Sequence, residues 1–286
     1  MDFQYFLNRI QLAPEGQEHF WSIHKRIREP VYAKGFGDSV DAFRKPDPEF
    51  AARIKAFSEE TGLLPEVWNL YVYIRLAENT LADYRAKGID DDIFYATMFD
   101  LTVCCRVCQA QCGIYGIPQI IYRHWCRMVL KGKIFRLGRL EFELYESGVD
   151  ASIGDRQLRK GEPCINVHIP RYLPLDEEAC EAAYDQAREF FARHFGMQSV
   201  CFLCHSWLLH PWMREVLPAD SRILRFQNHF QLLEATQDPA GAAGWIFPNC
   251  EDRDISEYPA ETSLQRAALD RIRNGGAIGL GRGIRL

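Results

Sequence analysis

The sequence predicts an α+β protein in which a helical N-terminal domain precedes a domain with a mixed β-sheet and flanking helices. Through roughly the first 130 residues, apolar side chains recur every three or four positions, as on the buried face of a helix. From residue 134 the period shortens to two, which is typical of half-buried strands. We therefore expect two domains, residues 1–130 and residues 131–286.

The first domain is predicted to be helical throughout. Its apolar periodicity is carried by Phe20, Ile23, Ile27 and Val31, by Phe50, Ile54 and Phe57, and by longer segments over 63–86, 93–111 and 120–130. Gly88 and Gly113 follow two of these segments, where a glycine commonly ends a helix. Residues 131–133, Lys-Gly-Lys, then mark the exit from the last helix.

The second domain is predicted to alternate strands with helices. Leu140, Phe142 and Leu144 alternate with charged residues, which indicates a strand, and a partner strand precedes it across a turn near Gly138. Further strands are expected over 163–169, 199–207, 244–248 and 277–280, and helices over 176–195, after Pro211 and over 262–273, with Thr262 as N-cap. Residues 147–163 are expected to form a polar loop, and 223–233 fits either a helix or a strand.

Composition excludes several classes of protein. The 286 residues are 47% hydrophobic and 26% charged, as in soluble globular proteins and unlike disordered, collagen-like or multi-span membrane chains. A net charge of −5 weighs against nucleic acid or an anionic lipid surface as partner. The first residues lack a secretory signal pattern, and no stretch approaches the roughly 18 apolar residues of a membrane span. We expect a cytoplasmic protein without membrane or nucleic-acid partners.

Ten cysteines suggest metal or haem chemistry, and their spacing argues against both. The string from Cys201 to His205 matches a haem c attachment motif, but in a strand its two cysteines point to opposite faces. Cys104, Cys108 and Cys112 extend along about 12 Å of one helix, too far for a single ion. Small buried hydrophobes are the favoured interpretation. No metal ligand is therefore predicted, and a Cys/His metal-binding protein stays as an alternative.

Two further motifs concern anions. The glycine-rich residues 275–283 resemble a phosphate loop, but only three residues follow them, so no helix can open there and a terminal strand or hairpin is expected. A basic run interrupted by no acidic residue could bind an anionic ligand or form a solvated face; it consists of Arg123, Arg127, Lys131, Lys133, Arg136 and Arg139.

Histidines close two of the predicted strands. His168 shares a strand face with Asn166 and Cys164, just before Pro170, and is either a general base or a structural residue. His205 and Ser206 end the strand that follows the helix over 176–195. No Gly-x-Ser-x-Gly elbow surrounds Ser206, so a serine hydrolase is disfavoured.

Five strings in order resemble a bacterial acyltransferase family with a helical N-acyltransferase N-terminal domain and a GNAT-like C-terminal domain. They are FRLGRLEFE at 135–143, VHIP at 167–170, SWLLHP at 206–211, LPADSRILRF at 217–226 and TSLQRA at 262–267. The resemblance covers residues 65–286. It implies an acyl-CoA co-substrate and a small-molecule amine acceptor, with the pantetheine arm between two neighbouring central strands that splay apart. Those strands would be the ones ending at His168 and at His205 and Ser206.

The resemblance also suggests roles for individual residues. His168 would take a proton from the ammonium, backbone N–H groups near Ile169 would polarise the thioester carbonyl, and Ser206 or Cys204 would protonate the leaving thiolate. The expected cofactor-binding residues are Ile169, Arg171, Tyr172, Arg136 and Arg139. The loop 170–175 lacks the family's glycine, and acidic residues occupy the first turn of the following helix. A catalytically silent small-molecule sensor with the same fold is the main alternative.

Overall fold

The chain folds into two compact units, Met1–Arg136 and Leu137–Leu286. The computed structural model describes residues 2–45, 47–117, 120–171, 173–248, 250 and 253–286. Within these residues, no helix combines the length and the apolar character that crossing a membrane requires.

The N-terminal unit is helical, which confirms the prediction. Its helices are α1 Phe3–Arg9, α2 Pro14–Arg26, α3 Pro30–Arg44, α4 Phe50–Thr61, α5 Pro65–Ala86, α6 Asp91–Cys112 and α7 Ile120–Leu130. The periodic pattern from Phe20 to Val31 is divided between α2 and α3, because Pro30 cannot continue a helix and instead begins the next one. Trp68 and Tyr71 of α5 and Phe94 of α6 are fully buried and belong to the core of this unit.

The C-terminal part of the chain contains a six-stranded mixed sheet in the order β1-β2-β5-β6-β8-β7. Its strands are β1 Ile134–Leu137, β2 Leu140–Glu146, β5 Pro163–His168, β6 Phe202–Ser206, β7 Gln231–Gln237 and β8 Gly279–Arg285, and β3 Ala151–Ile153 pairs with β4 Arg156–Leu158 in a separate hairpin. The helices are α8 Glu177–Phe195, α9 Met213–Val216, α10 Arg222–Gln227, α11 Pro239–Ile246 and α12 Ser263–Arg273. Tyr184 and Phe191 of α8 pack on Phe142 of β2, so α8 covers one face of the sheet.

In three segments of the C-terminal unit, the observed secondary structure differs from the sequence prediction or decides a type that the sequence left open. Residues 244–248, predicted as a strand, belong largely to helix α11, because Asp238 caps its first turn by accepting the Gly241 N–H and Pro239 begins it. The polar loop 147–163 contains the β3–β4 hairpin. Residues 223–233, whose type was open, contain all but the first residue of α10 and the start of β7. The helix after Thr262 is confirmed, with a complete capping box between Thr262 and Gln265.

Candidate active site

The two central parallel strands separate at their carboxyl ends. β5 and β6 pair only at Ile165 with Phe202 and at Asn166 with Leu203. Beyond that point each strand stays paired with its outer neighbour, β5 with β2 as far as His168 and β6 with β8 as far as Ser206. A wedge therefore opens between the strand ends, inside an otherwise continuous sheet.

The backbone of β5 alternates its N–H groups between its two neighbouring strands. The Ile165 N–H donates to the Cys201 carbonyl at 2.9 Å, so the N–H groups of alternate β5 residues point toward β6. Ile169 comes four residues after Ile165 and one residue after the end of β5. It therefore lies beyond Asn166 and Leu203, the last residues that pair β5 with β6.

Three polar side chains gather on one face of the sheet beside the wedge. Glu143 of β2 lies opposite Asn166 of β5 in the antiparallel register, and His168 follows two residues later on the same face. The Glu143 Oε2 atom is 2.8 Å from His168 Nε2 and accepts a hydrogen bond from Asn166 Nδ2 at 3.0 Å. Only 15% of the Glu143 side chain and 28% of the His168 side chain are exposed, so water competes weakly with this hydrogen bonding.

His205 lies across the wedge on the same face as His168. Asn166 of β5 and Leu203 of β6 are paired, so their side chains lie on the same face of the sheet. His168 and His205 each come two residues later in their strands and therefore lie on that face too. The pKa of His205 is lowered first by partial burial of the ring and then by the charge of Arg282, which lies opposite it on β8, while Glu234 and Asp238 oppose the shift. The Arg282 guanidinium is in turn 2.7 Å from the Glu234 carboxylate. The histidine is therefore a neutral imidazole at neutral pH.

Ser206 and Cys204 point to the other face of β6. The Ser206 Oγ accepts the Leu208 N–H at 3.2 Å and caps a single 3-10 turn, Trp207–Leu209. Cys204 is fully buried, and that burial raises the pKa of its thiol. Both groups thus keep their protons at neutral pH.

The expected cofactor-binding residues lie in different places. Arg139 is buried and holds the loop after β5, donating from Nε to the Pro174 carbonyl and from Nη2 to the Leu173 carbonyl. Arg171 lies in that loop, with its guanidinium 4.6 Å from the Trp245 ring centroid. Arg136 is buried in the N-terminal unit beside Phe99. Tyr172 lies outside the described residues.

Sequence reasoning missed Glu143. Its alternation with Phe142 and Leu144 marks it as the polar side of a strand, which is also the mark of any solvated strand face. The β2–β5 register makes it the partner of Asn166 and His168. Within the described part of the chain, no group of three histidine, cysteine or carboxylate residues is arranged to hold a metal ion.

A mixed sheet whose central parallel strands splay beside a helix-covered face defines the GNAT-like class of acyltransferases. A family model described as the GNAT-like C-terminal domain matches residues 134–285, and one described as the N-acyltransferase N-terminal domain matches residues 1–132. The chain belongs to this N-acyltransferase family.

Solved structures share the fold. One is an acyltransferase in complex with decanoyl-CoA and teicoplanin (21% identity, TM-score 0.74), and another is a mutant acyltransferase in complex with octanoyl-CoA (20% identity, TM-score 0.75). A third is an acyltransferase with CoA and 10C-teicoplanin (20% identity, TM-score 0.74). Each alignment covers 98% of this chain and 85% of the other. No curated protein matches the sequence.

Proposed function

We propose that the protein transfers an acyl group from acyl-CoA to the amine of a small acceptor molecule. The divergence of β5 and β6 after Asn166 and Leu203 carries this proposal. It leaves strand edges available to an extended arm that bears amide groups, and the proposed base, His168, ends one of these strands. The solved acyltransferases of this fold, which bind decanoyl-CoA, octanoyl-CoA and CoA, support acyl-CoA as the donor.

The chemistry begins with the acceptor ammonium. His168 takes one proton from it, so the nitrogen gains a lone pair that attacks the thioester carbon. The Ile169 N–H donates to the carbonyl oxygen as negative charge develops there. The C–S bond then breaks, the nitrogen loses its second proton, and the CoA thiolate is protonated through the Ser206 hydroxyl or water. Of the two protons that the nitrogen releases, one therefore ends on sulfur and one in solvent. Cys204 is too deeply buried to take part. The products are an amide and free CoA, and His205 is available to relay a proton on the same face.

The donor's phosphates are expected on Arg171 rather than on the N-terminus of α8. At that terminus Asp176 already accepts the Ala179 N–H at 3.0 Å, and Glu177 and Glu178 follow in the first turn. Carboxylates at a helix N-terminus are stabilised by the helix dipole and repel a pyrophosphate. Arg171 lies in the loop after β5 and offers the charge that the first turn of α8 lacks.

Turnover and binding are measured together. The protein is incubated with acetyl-CoA, octanoyl-CoA or decanoyl-CoA and a panel of primary amines, and free CoA is quantified by chromatography. We expect at least one acyl-CoA to raise the melting temperature and one amine to release CoA. Stabilisation without CoA release across the panel would contradict the proposal and favour the sensor, and no response to any acyl-CoA would contradict acyl-CoA as the donor.

The His168→Gln variant tests the base. We expect kcat to fall about 10²- to 10⁴-fold, the usual contribution of a positioned general base, while KM for acyl-CoA changes little. His124→Gln, an exposed histidine on α7, is the matched control and should keep wild-type kinetics. An active His168→Gln enzyme would remove His168 from the mechanism.

A further inference from the structure

Glu143 is a carboxylate that nothing in the reaction described above uses. It lies on β2, one strand away from the wedge. Its Oε2 atom is within hydrogen-bond distance of both Asn166 Nδ2 and His168 Nε2. A carboxylate costs free energy when it is largely removed from water, and polar partners have to offset that cost. Two partners on one oxygen, both on the strand that borders the wedge, indicate a specific role for this side chain.

We propose that Glu143 is a positioning residue that fixes the tautomer of His168, so that Nδ1 is the atom that takes the acceptor's proton. This inference rests on the proposed function, since it concerns the base of that reaction. An ionised carboxylate only accepts hydrogen bonds. The 2.8 Å contact therefore requires the proton of the neutral imidazole to be on Nε2, which leaves the basic lone pair on Nδ1.

Asn166 completes the arrangement. Its Nδ2 donates to the same Glu143 oxygen at 3.0 Å and lies 3.2 Å from His168 Nε2. With Nε2 protonated, both neighbours direct their hydrogens at the carboxylate, so the amide fixes the carboxylate and the carboxylate fixes the ring. The β2–β5 register, with Glu143 opposite Asn166, holds all three in place.

The same contact serves the reaction once the proton has moved. When the N–H bond of the ammonium breaks and an Nδ1–H bond forms, His168 becomes an imidazolium. Its Nε2–H then donates to an opposite charge at short range, a charge-assisted hydrogen bond that stabilises the developing cation. The Nδ1 proton afterwards passes to solvent or to the departing thiolate, and Glu143 stays ionised throughout.

A double-mutant cycle separates positioning from a merely structural role. We expect Glu143→Gln to lower kcat by about tenfold or more with KM for acyl-CoA nearly unchanged, because it removes only the charge that orients the base. If Glu143 acts through His168, the variant carrying both Glu143→Gln and His168→Gln should be no slower than His168→Gln alone. Multiplying effects would overturn the proposal, and Glu146→Gln, on the exposed end of β2, is the matched control.

The tautomer itself is measured without turnover. In ¹⁵N-histidine-labelled protein near pH 8, ring-proton correlations distinguish Nε2–H from Nδ1–H, and the His168 signals are those missing from His168→Gln. We expect the Nε2–H form in the wild type and its loss or mixing in Glu143→Leu. An Nδ1–H form in the wild type would contradict this inference alone, whereas absence of amine-dependent CoA release would contradict the proposed function and with it the role in proton transfer.

Discussion

Two histidines of the sheet domain differ in what surrounds their rings. His168 lies beside a carboxylate that can balance a positive charge, so it can accept a proton without leaving its place. The His229 side chain is only 5% exposed and lies among aromatic rings, 5.7 Å from Tyr184 and 5.6 Å from Phe226 between ring centroids. Its Nε2 is 3.5 Å from the Glu181 carboxylate, but that carboxylate is already paired with Arg285. Its ring nitrogens make no hydrogen bond with the described residues. The first environment suits proton transfer, and the second suits a neutral ring that contributes packing.

His229 should make folding sensitive to acid. Burial lowers its pKa, and although Glu181 and Glu177 oppose this shift, Arg285 adds to it. Below pH about 6.5, the ordinary histidine pKa, the unfolded chain binds a proton that the folded chain does not, so the free energy of unfolding falls as the pH drops. We expect His229→Gln to flatten the dependence of melting temperature on pH between 7.5 and 5.5.

The exposed His124→Gln variant is the control for this measurement and should retain the wild-type pH dependence. An unchanged pH dependence in His229→Gln would show that His229 is charged in the folded state or that other groups dominate. Differential scanning fluorimetry at matched ionic strength distinguishes the two variants.

At single positions, the sequence predicts the chemical role of a residue better than it predicts which residues contact that residue. His168, Asn166 and Cys164 are on one strand face in the sequence pattern and in the structure, because alternation is a local property of the backbone. The contact with Glu143 joins residues 25 positions apart and depends on a register that local periodicity does not encode. The base could be proposed from the sequence, and the residue that orients it could not.

At the scale of the elements, the glycine-rich residues 275–283 lie largely in strand β8, where neighbouring backbone leaves no room for side chains at two of the glycines. Gly281 lies opposite Ser206, and a Cβ at this position would lie 2.5 Å from the carbonyl group of Leu209. A Cβ at Gly279 would also collide with backbone, at the Thr236 carbonyl. These glycines allow the 3-10 turn after β6 and the edge strand β7 to approach the sheet closely. The backbone atoms that a Cβ would meet show that these glycines serve packing.

Gly281→Ala should therefore destabilise the sheet domain. Because the obstructing atoms are backbone, relief requires a shift of the Trp207–Leu209 turn, and overpacking of this kind costs about 1–3 kcal/mol. Gly148→Ala is the control, since its nearest neighbour to a new Cβ would be the Tyr145 hydroxyl at 3.7 Å. Urea denaturation of both variants measures the difference, and equal midpoints would contradict the packing argument.

The elements that the sequence misjudges have weak local signals. In α11 the run Ala-Gly-Ala-Ala-Gly has poor helix propensity at its glycines, and its apolar end resembles a short strand. The helix forms because its cap and the buried contacts of Ala242 and Ile246 outweigh that propensity. Each strand of the β3–β4 hairpin has only three residues, too few to show a period. Long elements such as α5, α6 and α8 are predicted well because several turns repeat one pattern.

For the whole molecule, cysteine behaves as a core residue. Nine of the ten cysteines are buried, and only Cys112, at the end of α6, is exposed. Burial raises the pKa of the Cys105, Cys108 and Cys164 thiols to about 12. Since the thiolate is the reactive form, folding protects these groups twice, by excluding reagents and by keeping the proton on sulfur.

This distribution predicts the thiol reactivity of the native protein. With an aromatic disulfide reagent at pH 8, we expect one thiol per chain to react quickly and all ten to react after denaturation in guanidinium. Cys112→Ser should abolish the fast phase and leave nine thiols in the denatured state. Several fast thiols in the native protein, or fewer than ten after denaturation without reductant, would mean that cysteines near the surface or in disulfides have been assigned wrongly. Because covalently attached haem would block thiols even in the denatured chain, a count of ten also excludes haem attachment.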